Sequence, residues 1–394
     1  MNIALQQVSG VKCSSISSGI KNNGALDLSL VLLAEGSVTA AVFTQNIFCA
    51  APVLTAKNHL SSDVRALLIN SGNANAGTGE KGLECSYKSC EIIAKEISVE
   101  PQQVLPFSTG VIGQILPIEP FEKNSALLVK NLSVNDMSQV AKGILTTDLK
   151  EKSHSVSFEV NGETVTLTGI AKGSGMIRPD MATMLSFIFT DIGASKEDLQ
   201  DCLSVSVNQS FNRITVDGDT STNDACTLSA TNQSGVQLID CLKDFQIALN
   251  ELTKTLAHMI VRDGEGATKF VEIRAGGLNT DKECLEVAYT VAHSPLVKTA
   301  LFASDANWGR ILAAVGRSKV NGLVVENINI YLNNLPIVTA GELDKQYTEE
   351  AGNVEMSKSE IVIHIEMGKS TSSESVWTTD LSYDYVKINA EYRT

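Results

Sequence analysis

A lone threonine, Thr183, stands between a glycine-rich loop and an apolar segment, and its type and position could do chemistry. Residues 172–185 read KGSGMIRPDMATML and lead into the apolar run SFIFTDI. A threonine hydroxyl is a weak nucleophile unless a base adjoins it, and an N-terminal threonine can use its own α-amine as that base. The reference pKa of an α-amine is about 7.7–8.0, close to what a general base needs at neutral pH. The pattern therefore fits a nucleophile released by cleavage of the Ala182–Thr183 bond.

The residues around Thr183 would allow self-cleavage, but they also have a plainer explanation. Glycines upstream would permit a strained, closely approached backbone, and the small Ala182 would leave room for attack by the Thr183 hydroxyl. A glycine hinge, with Thr183 as an ordinary residue at the start of a strand, accounts for the composition equally well. From the residues alone, both interpretations stand.

Two further segments contain groups that could act with a nucleophile. The stretch PFSTGVIG at 106–113 predicts a turn in which backbone N–H groups and the Thr109 hydroxyl could form an oxyanion hole. In RDGEGATK, Glu265 lies between two glycines and could face an amino group. The alternative for residues 106–113 is a plain turn, and the alternative for Glu265 is a solvated turn residue. Asp305 and Asn307 in FASDANWGRI are predicted to cap a helix, and Tyr392 in the terminal INAEYRT suggests a packed chain end.

Charge and composition exclude several classes of function. The formal net charge of −14 opposes binding to nucleic acid or to an anionic membrane. The N-terminus lacks the pattern of a signal peptide and no window reaches 18 uncharged apolar residues, so we expect a cytoplasmic protein without a membrane partner. The eight cysteines contain no C-x-x-C pair, which predicts buried thiols in a reducing compartment and no metal site.

One glycine motif suggests a different function. Residues 77–82, GTGEKG, satisfy G-x-G-x-x-G before a helix, but SGNANA separates them from the preceding strand, whereas a dinucleotide fingerprint adjoins its strand. The chain has no G-x-x-x-x-G-K-[ST], G-x-S-x-G or H-E-x-x-H motif, and no histidine beside a candidate nucleophile. A non-catalytic nucleotide-binding protein remains the alternative that this loop supports, and it predicts an uncut chain.

The elements that must position these residues alternate between strands and helices, which predicts an α/β protein. Asn161-Gly162 predicts a hairpin turn, Ser195 a helix N-cap, and residues 240–262 a long amphipathic helix. Its apolar stripe consists of Leu242, Phe245, Leu249, Leu252, Leu256 and Met259. The other predicted strands are 25–34, 37–43, 64–70, 184–192, 323–332, 360–367 and 384–392, and the other predicted helices are 86–97 and 194–212.

Taken together, the motifs resemble one family, the ornithine acetyltransferases (glutamate N-acetyltransferases) of arginine biosynthesis. The resemblance runs nearly end to end and is specific because several motifs are long. They are SGIKNNGALDLSL, AAVFTQN, LINSGNANAGTGEKGLE, STGVIG, ILTTD, GIAKGSGMIRPDMATML, TVDGDTSTNDA, RDGEGATKF, SDANWGRI and DYVKINAEYRT. One departure is Gly77, where many relatives have cysteine, and no catalytic role falls there.

The resemblance implies roles for individual residues. The precursor would cut itself into an α-chain of residues 1–182, ending at Ala182, and a β-chain of residues 183–394, which begins with the nucleophile Thr183. A C-terminal subdomain over about 280–394 is also expected. Thr109 and Gly110 would form the oxyanion hole. The substrate-binding residues would be Thr146, Lys172, Thr183, Glu265, Asn389 and Thr394.

The reaction implied is a ping-pong transfer of acetyl from N2-acetylornithine to glutamate, without cofactor or metal; some members also take acetyl-CoA as a donor substrate. The implied fold is an αββα sandwich like that of N-terminal-nucleophile hydrolases, with different connectivity, and the processed chains would pair as α2β2. An N-terminal-nucleophile amidase or β-aminopeptidase, in which water replaces glutamate, is the alternative enzyme.

Overall fold

The computed structural model describes residues 5–134, 136–178 and 184–391. Ala182, Thr183 and Thr394 lie outside the described residues, and so does Tyr392. The chain divides into two compact units: unit 1 contains residues 1–212 and 219–260, and unit 2 contains residues 213–218 and 261–394. The predicted division between residues 182 and 183 is a cut into two chains. The two compact units do not test such a cut, so it stays a prediction.

Strands and helices alternate along the described chain. The strands are β1 Val11–Ile16, β2 Leu28–Leu33, β3 Val38–Phe43, β4 Ala66–Asn73, β5 Val104–Val111, β6 Lys152–Val160, β7 Glu163–Lys172, β8 Leu185–Thr190, β9 Ala225–Ala230, β10 Phe270–Gly276, β11 Asn329–Leu332, β12 Leu335–Thr339, β13 Glu342–Leu343, β14 Glu360–Glu366 and β15 Ser373–Thr379. The helices are α1 Ala51–His59, α2 Gly79–Ile97, α3 Glu119–Lys130, α4 Met137–Gly143, α5 Lys196–Gln209, α6 Leu242–Arg262, α7 Asp281–Ala292, α8 Pro295–Phe302, α9 Trp308–Gly316, α10 Glu349–Met356 and α11 Tyr383–Ala390.

Unit 1 is built on two sheets packed face to face. The first sheet has the order β1-β2-β4-β5 and the second the order β3-β9-β8-β7-β6. Apolar side chains from both sheets form one buried core, in which the Phe107 and Phe187 rings meet edge to face with centroids 5.0 Å apart. Burial of large apolar and aromatic side chains is the main favourable contribution to such a core.

Helices cover the outer face of each sheet. On the first sheet, Leu68 packs in a cluster with Ile93 of α2 and Phe121 of α3. On the second sheet, a Cβ on Gly169 would lie 2.9 Å from Leu256 Cδ1, so α6 approaches β7 closely. The Gln200 side chain of α5 accepts a hydrogen bond from the β3 backbone. The predicted α/β class and the αββα layering are thus present in unit 1.

Unit 2 contains a third, mixed sheet with the order β13-β12-β11-β14-β10-β15. Parallel pairing joins β10 to β14, and antiparallel pairing joins β10 to β15. Its core includes Ile273 of β10, Val291 of α7, Val315 of α9 and Ile363 of β14, each of them fully buried. Among the described residues, no helix is both long and apolar enough to cross a membrane.

Most of the predicted elements of unit 1 are confirmed. Asn161 and Gly162, with φ of 53° and 88°, connect β6 to β7 in the predicted hairpin, and the Ser195 side chain accepts the Asp198 N–H at the start of α5. In the stripe of α6, Phe245 and Leu256 are buried, but Leu242 is exposed because it is the first residue of the helix. The thiols are free, and seven of the eight are buried.

Two predictions in the C-terminal third are wrong. Residues 384–392 were expected to form a strand, but residues 383–390 form α11, whose first turn is capped by the Ser382 side chain. The predicted strand 323–332 begins only at Asn329, since a short 3-10 turn occupies residues 325–327. Asn307 caps α9 as expected, by accepting the Arg310 N–H.

Candidate active site

A buried cluster of charged residues forms around Lys172, the last residue of β7. The Lys172 ammonium donates a hydrogen bond to the Thr146 hydroxyl at 2.9 Å and lies 3.7 Å from Asp148 Oδ2. The other oxygen of Asp148 accepts from Lys152 Nζ at 2.6 Å and from the Gly173 N–H at 2.7 Å. Two lysines therefore share one carboxylate.

The Asp148 carboxyl is kept ionised by its neighbours. Burial of the Asp148 side chain opposes ionisation, but Lys172, Lys152 and the Gly173 N–H together hold the pKa of the carboxyl well below its usual range. The side chains of Asp148 and Lys152 are 0% and 1% exposed. A buried ammonium such as that of Lys172 suits an anionic group, for example a substrate carboxylate.

The predicted oxyanion residues lie at the end of a strand and not in a turn. Thr109 and Gly110 belong to β5 and pair with Ser71 and Gly72 of β4 in parallel register. Gly110 has a φ of 137°, and a Cβ there would lie 2.3 Å from the carbonyl carbon of Gly72. Only glycine fits this crossing, because any side chain would overlap the β4 backbone. The turn prediction failed because apolar residues flank S-T-G on a buried strand.

Amide side chains hold the end of β5 in place. The Asn223 amide donates to the carbonyl oxygens of Ala74 and Ser108 at 2.7 and 2.9 Å. The Ser108 hydroxyl donates to the Asn70 side chain at 2.6 Å. These buried hydrogen bonds fix the backbone on both sides of the strand end, which gives the rigidity that an oxyanion site requires.

The end of β5 and the end of β7 border one small cavity. It is lined by Thr109 of β5, Lys172 of β7 and Met184, and by Leu185, Ser221, Asn223 and Asp224. Met184 directly follows Thr183 in the chain, and its N–H donates to Asp224 Oδ1 at 2.6 Å. Two predicted site residues and the neighbour of a third are thereby brought together.

In unit 2, Glu265 and Asn389 meet as predicted site residues. Glu265 is 8% exposed, and its Oε2 accepts a hydrogen bond from the Asn389 amide at 2.8 Å. Asn389 is exposed on α11, close to its end. The remaining donor and acceptor capacity of this pair could meet an amino group.

The loop that carries Glu265 is in tight contact with the start of α11. A Cβ on Gly266, whose φ is 67°, would lie 2.5 Å from the Tyr385 nitrogen and from Ser382 Oγ, so the position requires glycine. Asp380 accepts the backbone N–H groups of Thr268 and Lys269 at 2.8 and 3.0 Å. These contacts position the helix that presents Asn389.

The sequence missed the buried carboxylates of unit 1. Asp148 and Asp224 stand in the motifs ILTTD and TNDA, yet burial of a charge leaves no periodic signal in a sequence. The place of Asp148 shortly after Thr146 was the one available signal, and Asp224 had none.

Comparison with known proteins places this chain in a family. The model of the ArgJ family matches residues 12–394. A protein of Pseudomonas syringae pv. tomato named arginine biosynthesis bifunctional protein ArgJ is 50% identical, over 99% of this chain and 98% of its own length. The chain belongs to the ArgJ family. The predicted enzyme class, an acetyltransferase of arginine biosynthesis, is thereby confirmed.

Two further proteins are similar to this chain. The one from Methylococcus capsulatus is 47% identical over 100% of this chain and 97% of its own length. Among solved structures, ornithine acetyltransferase from Mycobacterium tuberculosis, in complex with ornithine, is 34% identical over 44% of this chain and 95% of that chain, with a TM-score of 0.42.

Proposed function

We propose that this ArgJ protein is a self-cleaving acyltransferase that moves acetyl from N2-acetylornithine to glutamate. The observation that carries the proposal is the cavity shared by Thr109, Lys172 and Met184, the residue after Thr183. Family membership supplies the reaction class, and the cavity supplies groups suited to its steps. The name of the Mycobacterium tuberculosis relative and its bound ornithine support the choice of substrate.

The first step is self-cleavage. The Thr183 hydroxyl attacks the Ala182 carbonyl, the C–N bond breaks as the ester C–O bond forms, and the hydroxyl proton passes to the Thr183 nitrogen. Water then hydrolyses the ester. The products are a carboxylate on Ala182 and a free hydroxyl and α-amine on Thr183.

Acetyl transfer reuses the same hydroxyl. With the α-amine as base, Thr183 Oγ attacks the acetyl carbonyl, the amide bond breaks, and ornithine leaves with the proton. The α-amine of glutamate then takes the acetyl group from the ester and regenerates the hydroxyl. Thr109 and Gly110 stabilise the oxyanion of each intermediate, a role whose loss typically costs roughly 10²–10³ in kcat.

The remaining predicted residues bind substrate. The Lys172 ammonium, held by its hydrogen bond to Thr146, binds a substrate carboxylate. Glu265, together with Asn389, binds a substrate amino group. Thr394, outside the described residues, completes the set. The reaction needs no cofactor or metal, and acetyl-CoA would serve as an alternative acetyl donor. The processed chains assemble as α2β2, and the enzyme works in the cytoplasm.

Replacement of Thr183 by alanine tests the proposal. We expect the wild-type chain of 42.1 kDa to run on a denaturing gel as two fragments of about 20 kDa. The Thr183→Ala chain should stay whole and transfer no acetyl, while Thr183→Ser, which keeps a hydroxyl, should still be cut. A cleaved and active alanine variant would show that another residue is the nucleophile.

The acceptor is tested separately. Incubation of the wild-type protein with N2-acetylornithine should give N-acetylglutamate only when glutamate is present. Release of acetate at the same rate with and without glutamate would instead identify an amidase.

A further inference from the structure

Asp224 presents a buried carboxyl group that the steps above do not use. The residue is 1% exposed, directly before β9. Its Oδ1 accepts the Met184 N–H at 2.6 Å, and its Oδ2 has no hydrogen-bond partner among the described residues. One oxygen of this fully buried carboxyl group therefore makes no hydrogen bond within the described part of the chain.

Stability alone does not explain a carboxyl group here. An asparagine could accept the same N–H through its side-chain oxygen. Burial raises the pKa of the Asp224 carboxyl well above its usual range, against the smaller lowering effects of the Met184 N–H, the Lys172 charge and the Ser221 hydroxyl. A buried acceptor without a partner also opposes folding. The free oxygen thus points to a further hydrogen-bond donor in its surroundings.

The location of Asp224 indicates which donor this is. Met184 is covalently joined to Thr183, so the carboxyl that holds the Met184 nitrogen adjoins the nucleophile. At the other end of the segment, Asp148 holds the Gly173 N–H, and Lys172 pairs with Leu185 in the ladder of β7 and β8. A buried aspartate therefore fixes the backbone at each end of residues 173–184.

We propose that Asp224 is a positioning residue for Thr183, which fixes the Met184 nitrogen through Oδ1 and accepts a hydrogen bond from the Thr183 hydroxyl or nitrogen through Oδ2. The inference rests on the proposed function, since it assigns Asp224 to the same nucleophile. Asp224 forms no bond to substrate and acts only by orienting Thr183.

Asp191 offers a matched control at the opposite end of β8. It is 6% exposed, and its Oδ1 accepts the Thr166 N–H at 2.9 Å. Burial raises the pKa of its carboxyl as well. The two aspartates therefore share burial and one backbone hydrogen bond, and they differ in distance along the chain from Thr183.

The test compares Asp224→Asn and Asp191→Asn in the full-length chain. The rate of self-cleavage is followed on denaturing gels from the time of synthesis, the midpoint of thermal unfolding is recorded, and kcat and KM are measured on the fully cut protein. Should Asp224→Asn fail to fold, Asp224→Ser, which keeps an acceptor in a smaller volume, takes its place.

We expect Asp224→Asn to unfold at or above the wild-type temperature and yet to be cut roughly 10- to 100-fold more slowly, with kcat lowered and KM little changed. Asp191→Asn should be cut at the wild-type rate. A folded Asp224→Asn chain with wild-type cleavage and kcat would overturn the inference and leave the proposed function intact. Equal slowing in both variants would overturn it too, and a wild-type chain that stays whole would contradict the proposed function itself.

Discussion

Each unit buries lysine, but the two units hold the ammonium groups by different means. In unit 1, Lys152 and Lys172 share the carboxylate of Asp148, within 2.6 and 3.7 Å. In unit 2, Lys298 donates to the Thr378 hydroxyl at 3.1 Å and to the Thr379 carbonyl, both uncharged. Burial lowers the pKa of Lys298 to about 8, and the more distant Asp380 and Asp217 offset this only in part.

The difference shows what a contacting carboxylate does for a buried cation. In unit 1 the cations and the carboxylate stabilise one another's charge, as the low pKa of Asp148 reflects. In unit 2 the neutral oxygens satisfy the hydrogen bonds of Lys298 without compensating its desolvation. We therefore expect unit 1 to depend on its ion cluster and unit 2 to tolerate loss of its buried charge.

Removal of the shared carboxylate should have the largest effect. Asp148→Ala removes the carboxylate that two buried ammonium groups share, and we expect the free energy of unfolding to fall by about 3–5 kcal/mol in chemical denaturation. The double variant Asp148→Ala, Lys152→Met removes one of the two cations and should recover part of that loss. A single-variant loss below about 1 kcal/mol would contradict the importance given to the cluster.

Removal of the unit 2 lysine should have an effect that depends on pH. Because the pKa of Lys298 is lower in the folded state than in the unfolded state, the unfolded chain binds more protons between pH 8 and about 10.5. Wild-type stability should therefore rise with pH in this window relative to Lys298→Met, by up to about 1.4 kcal/mol per pH unit.

The measurement is the difference in unfolding free energy between wild type and Lys298→Met at several pH values. The difference cancels the contribution of other groups, such as the cysteine thiols. Lys358→Met, at a lysine whose side chain is 50% exposed, is the control and should show no such trend. A difference independent of pH would show that Lys298 is not desolvated.

The smallest effect is expected at the edge of unit 2. Asn389→Ala removes one hydrogen bond to Glu265, a contribution of about 0.5–1.5 kcal/mol. We expect KM for N2-acetylornithine or for glutamate to rise about two- to tenfold, and the free energy of unfolding to fall by no more than that contribution. Asn353→Ala, on the exposed face of α10, should change neither quantity. Unchanged KM values would remove Asn389 from the substrate-binding set.

The sequence predicted the buried elements better than the exposed ones. The strand β8 and the helix α5 were predicted because apolar periodicity and an N-cap point to the same structure. The helix α11 was mistaken for a strand because its tyrosine, valine and isoleucine residues favour strands, although Tyr383 and Val386 are exposed. There the Ser382 cap and tertiary contacts decide the conformation.

The candidate site was predicted in the same uneven way. Lys172, Thr146, Glu265 and Asn389 were found by family resemblance, and the described residues pair them as two hydrogen-bonded couples. Asp148 and Asp224 were not assigned, because a sequence does not reveal which carboxylates folding will bury beside a lysine or a backbone N–H. Such pairs depend on the approach of distant strands.

The position of β8 within its sheet would have a consequence for a chain cut before it. β8 pairs with β7 on one side and β9 on the other, and β9 in turn pairs with β3. A cut between Ala182 and Thr183 would therefore leave two polypeptides in a single sheet. Strands β9 and β8 of the second polypeptide would lie between β3 and β7 of the first. Once unfolded, these polypeptides could regain the sheet only by meeting again, so refolding would become bimolecular and dependent on concentration. The cut protein would therefore persist because it unfolds slowly, and not because it refolds readily.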